Sequence, residues 1–316
     1  LTGDITTIFY PDTLPYSHKG RAVALGFFDG IHLGHKQIIR KTVKEACLHD
    51  LTSTVITFTN FRKGENGLLT TVEEKREILS GLGVDELLVL DFDEVKNMSA
   101  EDFLNEIIKV KLSARALFAG SDYRFGKNAS GDAAMLQRFG DETSTEVTIF
   151  EPVGFGEQNR RLSSTWLREV VNDADMELYS SLTGGTNFSY QGKVLHGKEL
   201  GRRMGTPTAN IEVPEEKIKA RFGVYVSRII LGSRKLYGVT NVGLRPSVDD
   251  GGAVNAETFI FDFDDDIYGA RIKVELLGFI RPEVRFDSIE ALSRQIASDK
   301  ESAKTWLVKR GIINRI

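Results

Sequence analysis

Two histidines three residues apart, His32 and His35, stand in the stretch GFFDGIHLGHKQII at residues 26–39. A greasy run precedes them and a helix-like run follows, so they fall where a strand gives way to a helix. The first turn of a helix offers free N–H groups and partial positive charge, which suits phosphate. Two imidazoles placed there can donate to phosphate oxygens and offset charge in a phosphoryl-transfer transition state. Asp29 and Gly30 make the turn, Gly26 and Phe28 lead into it, and Gly34 removes a side chain where a nucleotide would lie close. A metal reading needs a third ligand. The chain holds only five histidines and one cysteine, and no His or Cys stands beside the pair to serve as one.

A second stretch, GKELGRRMGTPTANIEV at residues 197–213, combines glycines, basic residues and hard oxygen donors. Gly197, Gly201 and Gly205 let backbone approach a phosphate, with Lys198 and Pro207 among them. The Thr208 hydroxyl and the Asn210 carbonyl are oxygen ligands suited to Mg²⁺. The Gly-Lys-Ser/Thr ending of a Walker loop is missing. On composition alone, a solvated basic hairpin remains the alternative. The acidic run Asp262 to Asp266 reads as a solvated hairpin turn rather than a metal cluster.

The elements that must hold these residues follow two grammars. Up to about residue 180, short apolar runs (21–28, 52–58, 86–92, 115–120, 146–153) alternate with helical patterns (36–50, 71–83, 99–111). Ser99 and Asp102 form a capping pattern at the third helix. Such alternation predicts a parallel sheet covered by helices, with ligands at the carboxyl ends of its strands. After about residue 187, strand-like runs follow one another closely until a helical stretch at 288–311, which predicts a small antiparallel barrel or sandwich. The glycine-rich SLTGGTN at 181–187 marks the boundary. The fold class is therefore α/β, with a domain at 1–185 and another at 186–316.

With 316 residues, two domains are the prior expectation. Lysines and arginines number 41 against 45 acidic residues, a net charge of −4 with no global basic field for nucleic acid. No run of about 18 apolar residues is present, so no membrane span is expected. The single cysteine, Cys47, excludes an intrachain disulfide and a zinc–cysteine cluster, fits a reducing cytoplasm, and reads as a buried, inert thiol.

The opening motif resembles the His-x-Gly-His nucleotidyltransferases, and its Gly-Phe-Phe-Asp-Gly prefix is similar to the bacterial FAD synthetase module. LLTTVEEKREIL (68–79), AGSDYRFGKNASGD (119–132) and LSSTWLRE (162–169) resemble further motifs of that module in the same order. The resemblance implies a Rossmann-like domain that transfers the adenylyl group of ATP to FMN, releasing pyrophosphate. It implies that His32 and His35 meet the triphosphate, that Ser163, Ser164, Thr165 and Arg168 form a second phosphate-binding loop, and that Asp122 and Phe125 shape the flavin pocket. One stretch departs: TFTNFRKG (57–64) lacks the two prolines of the family's Thr-Phe-x-Pro-x-Pro loop, which predicts a differently shaped loop.

The second half resembles riboflavin kinases through GTPTAN (205–210), YGVTNVGLRPSV (237–248), AETFIFDFDDDIYG (256–269) and FIRPEVRFDSIEALSRQIASD (279–299). The resemblance implies a β-barrel with a terminal helix, Mg²⁺ with ATP at Thr208 and Asn210, and Glu257 as general base. Asn241, Arg245, Arg281 and Phe286 are implied at the flavin. Thr186 stands where that family often has arginine. The whole reading is a bifunctional riboflavin kinase and FMN adenylyltransferase acting on riboflavin, FMN and ATP, as a monomer or weak homo-oligomer. A kinase with a decayed or re-specified first domain, and a flavin-binding paralogue without turnover, are the alternatives.

Overall fold

The computed structural model describes residues 5–12, 19–59, 67–195, 208–244 and 253–314. The chain forms two compact units, Leu1–Ser164 and Thr165–Ile316.

The first unit is a parallel six-stranded sheet in the order β1-β4-β3-β2-β5-β6. The strands are β1 (Thr6–Phe9), β2 (Arg21–Leu25), β3 (Thr52–Phe58), β4 (Glu86–Leu90), β5 (Ala114–Gly120) and β6 (Glu146–Phe150). β2 is buried at every position, as a strand covered on both faces requires. Its alternate residues supply two cores. Val23 and Leu25 join Phe103, Ile107 and Leu117 on one face. Ala22 and Ala24 meet Ile38 and Ile39 of helix α1 (Leu33–Leu48) on the other. Helix α2 (Val72–Gly81) opens with a capping box, in which the Thr71 hydroxyl accepts from Glu74 N and the Glu74 carboxylate accepts from Thr71 N. Two short helices, α3 (Phe92–Val95) and α4 (Ala100–Asp102), follow β4, and α4 continues into a π-helical stretch, Phe103–Lys111. The predicted cap holds, with Ser99 Oγ accepting from Asp102 N at 3.0 Å. Helix α5 (Ala133–Thr143) precedes β6, and a two-stranded ribbon, β7 (Gly154–Phe155) and β8 (Arg160–Arg161), follows it.

Chain order reverses at β2. Its successor β3 lies on one side and β5 on the other, so the loops after β2 and β5 open into one crevice at the carboxyl ends. Both contain sequence motifs. At the opposite end, Arg21 is fully buried and paired bidentately with Glu86 at 2.7 and 3.1 Å, and Glu86 also accepts from the Thr54 hydroxyl at 2.9 Å. Removing one partner strands a buried charge. Arg21→Met is therefore expected to lower stability by about 3–5 kcal/mol in urea denaturation, and adding Glu86→Leu to recover most of the loss.

Cys47 is exposed, contrary to the expectation of a buried thiol. The inward face of α1 carries Ile38, Ile39, Thr42, Glu45 and Ala46, and Cys47 lies a further 100° around the helix.

The second unit begins with helices α6 (Ser164–Asn172, whose first residue closes the first unit) and α7 (Met176–Leu182). Six antiparallel strands follow in the order β10-β13-β12-β11-β14-β9: β9 (Phe188–Lys193), β10 (Ala209–Glu212), β11 (Gly223–Leu231), β12 (Arg234–Leu244), β13 (Val254–Ile260) and β14 (Arg271–Pro282). Just past β9, Leu195 N donates to Asn210 O at 2.8 Å, which closes the sheet into a barrel. Inside it, the hydroxyls of Ser227, Thr240 and Thr258 form a chain of hydrogen bonds at 2.6 and 2.9 Å, so three buried polar groups satisfy one another.

Helix α8 (Ile289–Lys309), capped by Ser288, lays Ala303 and Leu307 on Val224, Val226, Val239 and Leu277 of the barrel's outer face. Arg281 fixes it further by pairing with Asp299 at 2.9 and 2.7 Å. The structure thus has the two architectures that the two sequence grammars predict, a helix-covered parallel sheet and a barrel with a terminal helix.

Candidate active sites

The first site is built on the turn from β2 into α1. Phe28, Gly30 and Ile31 all adopt positive φ (50°, 78° and 37°), so two bulky residues stand in a conformation that favours glycine. Burial of both side chains and a clamp on Asp29 hold them there. The Asp29 carboxylate accepts from Leu69 N at 3.1 Å and Thr70 N at 3.0 Å, and Gly30 N donates to Thr70 Oγ1 at 3.0 Å. Asp29 therefore positions the turn through the loop that precedes α2.

His32 is the N-cap of α1. Its Nδ1 accepts from His35 N at 3.3 Å, which puts the proton of the neutral ring on Nε2. The two imidazoles stack with centroids 3.6 Å apart, and the Phe28 ring meets His35 edge-on at 5.3 Å. A Cβ on Gly34 would approach the His32 ring to 3.2 Å, so glycine is what lets the ring fold over the helix start. His35 Nδ1 is buried and, among the described residues, has no hydrogen-bond partner. Such an atom is costly unless a ligand or water meets it.

Burial pushes His32 down to about 4, while the Asp122 carboxylate pulls its affinity for protons up and Arg161 pushes it down. Burial, then His32, then Lys75 drive His35 well below the ordinary histidine value. Both rings are therefore neutral donors at neutral pH. A consequence follows for stability. Unfolded His32 takes a proton near 6.5 and the folded form only near 4, so the unfolded state binds more protons between them. Stability is expected to fall as pH drops from 6.5 towards 4, and His32→Gln to flatten that slope in thermal melts across this range.

Two contributors went unnamed in the sequence reading. Lys75, buried on α2, donates to Phe27 O and to Thr57 Oγ1, each at 2.9 Å, and lies 4.3 Å over the Phe27 ring. It ties the histidine loop to the end of β3. Arg161 on β8 pairs with Asp122, in the loop after β5, and both charges act on His32.

Of the other expected residues, Ser164 donates to Asp29 O at 2.8 Å and Ser163 directly precedes it. Thr165 and Arg168 lie in the first turns of α6, in the second unit. Phe125 is buried in the core beside Phe103 and Tyr123, at 5.4 and 5.7 Å, so its ring supports the loop from beneath. In TFTNFRKG, residues 60–64 lie outside the described residues.

The second site lies on the barrel's outer face. Register places Asn210, Glu257 and Asn241 side by side on β10, β13 and β12. Thr208 Oγ1 donates to Glu257 Oε1 at 2.6 Å. Asn255 Nδ2 donates to Asn210 Oδ1 at 2.9 Å and so turns that amide. Asn241 Nδ2 donates to Glu283 at 3.2 Å. A hydroxyl, an amide carbonyl and a carboxylate thus stand together, a hard-oxygen donor set that suits a divalent cation. Arg281 and Phe286, expected at the flavin, face each other at 5.8 Å, with the Arg281 guanidinium held by Asp299. Gly197, Lys198, Gly201, Gly205, Pro207 and Arg245 lie outside the described residues.

The exposed acidic run 262–266 follows β13, with Arg234 pairing Asp265 at 2.7 Å. Beside it, a cavity of about 210 Å³ is lined by Val194, Thr208, Phe263 and Tyr268 among others.

Comparison with known proteins finds a family match for each half of the chain. A family model described as FAD synthetase matches residues 14–166, and one described as riboflavin kinase matches 184–307. A bifunctional riboflavin kinase/FMN adenylyltransferase of Escherichia coli is 34% identical over 91% of this chain and 93% of its own length. Those of Listeria monocytogenes and Bacillus subtilis are each 31% identical, over 92% and 94% of this chain and 93% and 96% of theirs. A crystal structure from Streptococcus pneumoniae, titled as a macrolide-efflux protein, superposes with a TM-score of 0.83 at 30% identity, covering 96% of this chain and all of that one. Among the described residues here, no helix is long and apolar enough to cross a membrane. With two family models matched in order and relatives aligned almost end to end, the chain belongs to the bifunctional riboflavin kinase/FMN adenylyltransferase family.

Proposed function

We propose that this protein makes FAD from riboflavin in two ATP-dependent steps, phosphorylation at the Glu257 site and adenylyl transfer at the His32–His35 site. The observation that carries this reading is that one chain presents both a neutral histidine pair at a helix start and a hydroxyl–carboxylate pair on a barrel. In the reading, the domains run 1–185 and 186–316. The substrates are small molecules, and the protein works in the cytoplasm as a monomer or weak homo-oligomer without nucleic acid or membrane.

In the first step, Glu257 accepts the proton of the terminal ribityl hydroxyl as that oxygen attacks the γ-phosphorus of ATP, and ADP leaves. Thr208 occupies Oε1, so Oε2 is the oxygen available to the substrate. Thr208 Oγ1 and Asn210 Oδ1 would hold Mg²⁺, which when bound neutralises charge on the nucleotide phosphates. Asn255 orients the amide for that contact. In the second step, an FMN phosphate oxygen attacks the α-phosphorus of ATP and pyrophosphate leaves, with no covalent enzyme intermediate. His32 Nε2–H and His35 donate to the phosphate oxygens on which charge grows. Ser163, Ser164, Thr165 and Arg168 supply the second phosphate loop, and Asp122 borders the acceptor.

One incubation tests the proposal. Protein, riboflavin, ATP and Mg²⁺ are mixed, and the flavins are separated over time. FMN followed by FAD is the expected result. FMN alone would limit the activity to the kinase, and flavin retained without turnover would point to a binding protein.

A further inference from the structure

The outer face of β13 carries one more group with chemistry to offer. Along this strand Ala256 and Thr258 turn into the barrel, so Asn255, Glu257 and Phe259 share the opposite face. Glu257 and Phe259 are two residues apart, about 7 Å along the strand. Over the Phe259 ring, 3.5 Å from its centroid, lies the ammonium of Lys300 from α8. One turn further on, Lys304 lies 5.5 Å over Phe261.

Lys300 is partly buried and, among the described residues, has no carboxylate partner. Burial and the like charge of Lys304 push its ammonium below the ordinary lysine value. An aromatic face holds a cation in place without neutralising it. The helix itself is fixed, by Ala303 and Leu307 in the outer core and by Asp299 on Arg281, so the ammonium is held to one place. A fixed, partly desolvated cation one residue pair from a candidate base is what a reaction that spreads negative charge over phosphoryl oxygens requires.

We propose that Lys300 is a phosphate-contacting catalytic residue of the Glu257 site, held ready over Phe259 for the phosphoryl group in transfer. The inference rests on the kinase reading above. The bond from the ribityl oxygen to phosphorus forms as the bond from phosphorus to the β–γ bridging oxygen breaks. The hydroxyl proton goes to Glu257, the electron pair leaves with ADP, and Lys300 donates hydrogen bonds to the phosphoryl oxygens without changing its protonation.

The test measures initial rates of FMN formation for wild type, Glu257→Gln, Lys300→Met and Lys300→Arg. Methionine keeps an apolar stem over Phe259 and removes the charge, whereas arginine keeps the charge. Lys300→Met is expected to lower kcat at least ~10-fold with the riboflavin KM within about twofold, and Lys300→Arg to recover most of the rate. In wild type, Mg²⁺, ADP and FMN together are expected to protect Lys300 from amine acylation, read by peptide mass spectrometry. Unchanged kcat in Lys300→Met overturns the proposal. So does an arginine variant as slow as the methionine one, because shape rather than charge would then matter. Wild type that forms no FMN overturns the kinase reading and this inference with it. Turnover in wild type with Lys300→Met unaffected removes this inference alone.

Discussion

Replacing His32 and His35 together with alanine is expected to cut FAD formation from supplied FMN by at least ~100-fold in kcat/KM, since removing a single preorganised donor to a developing oxyanion already costs that much. Riboflavin phosphorylation by the same protein is expected to stay within about twofold of wild type, because the histidines belong to the other compact unit. The loss should fall mainly on kcat, the donors being aimed at charge that grows only in the transition state. The single variants separate two contributions. His32→Ala removes the Nε2–H donor and also the Nδ1 acceptor that caps α1, so it is expected to lower the melting temperature as well as the rate. His35→Ala removes a buried imidazole whose Nδ1 has no partner among the described residues, and its cost should be largely kinetic. Equal FAD formation in the double variant and wild type would remove the phosphate role from the pair. Pyrophosphate release that depends on both ATP and FMN is the measurement.

That site was partly legible in the sequence. The strand-to-helix turn showed in the change of period after Phe28, and the helix in the amphipathic run that followed, but the cap by His32 did not. The capping pattern at Ser99 is local, three residues long, and read directly, whereas the equally local box at Thr71 went unread. Contacts between distant segments were not legible. Lys75 lies 48 residues from Phe27, whose carbonyl it holds, and on a Glu-rich helix it reads as one more solvated charge. Only the fold turns it under the histidine loop. Asp122 and Arg161, 39 residues apart, meet because the β7–β8 ribbon returns the chain to the loop after β5, and two-residue strands leave no periodicity to read.

Cys47 shows a different kind of miss. Its helix phase places it about 100° around from Ala46, at the edge of the inward stripe where phase alone does not decide burial, and the general tendency of thiols to be buried pointed the wrong way. In the barrel, the row Asn210–Glu257–Asn241 depends on register between strands, which the sequence does not state. The motifs supplied the residues, and pairing supplied their adjacency. The four-residue β1 was too short for a period to stand out, and α5, though eleven residues long, went unread; they complete the sheet's edge and flank.

The second large effect is expected from Glu257→Gln, which should lower kcat for FMN formation by about 10²–10⁴-fold, the usual contribution of a positioned general base. Glutamine is the informative replacement. Its carbonyl can still accept the Thr208 hydroxyl that Glu257 Oε1 accepts at 2.6 Å, so the Thr208–Asn210 donor pair keeps its arrangement while the basic oxygen is lost. The riboflavin KM and the melting temperature should therefore change little, and FAD formation from supplied FMN should be unaffected. Alanine would confuse the issue by freeing Thr208 and opening space on the strand. Thr208→Val is the complementary variant. It leaves the carboxylate and removes both the hydroxyl that orients it and an oxygen donor, so it should raise the Mg²⁺ concentration needed for half-maximal rate as well as lower kcat. If Glu257→Gln turned over as fast as wild type while Thr208→Val did not, the hydroxyl would be holding the metal without serving a base, and proton transfer would have to go directly to solvent or to the nucleotide phosphates.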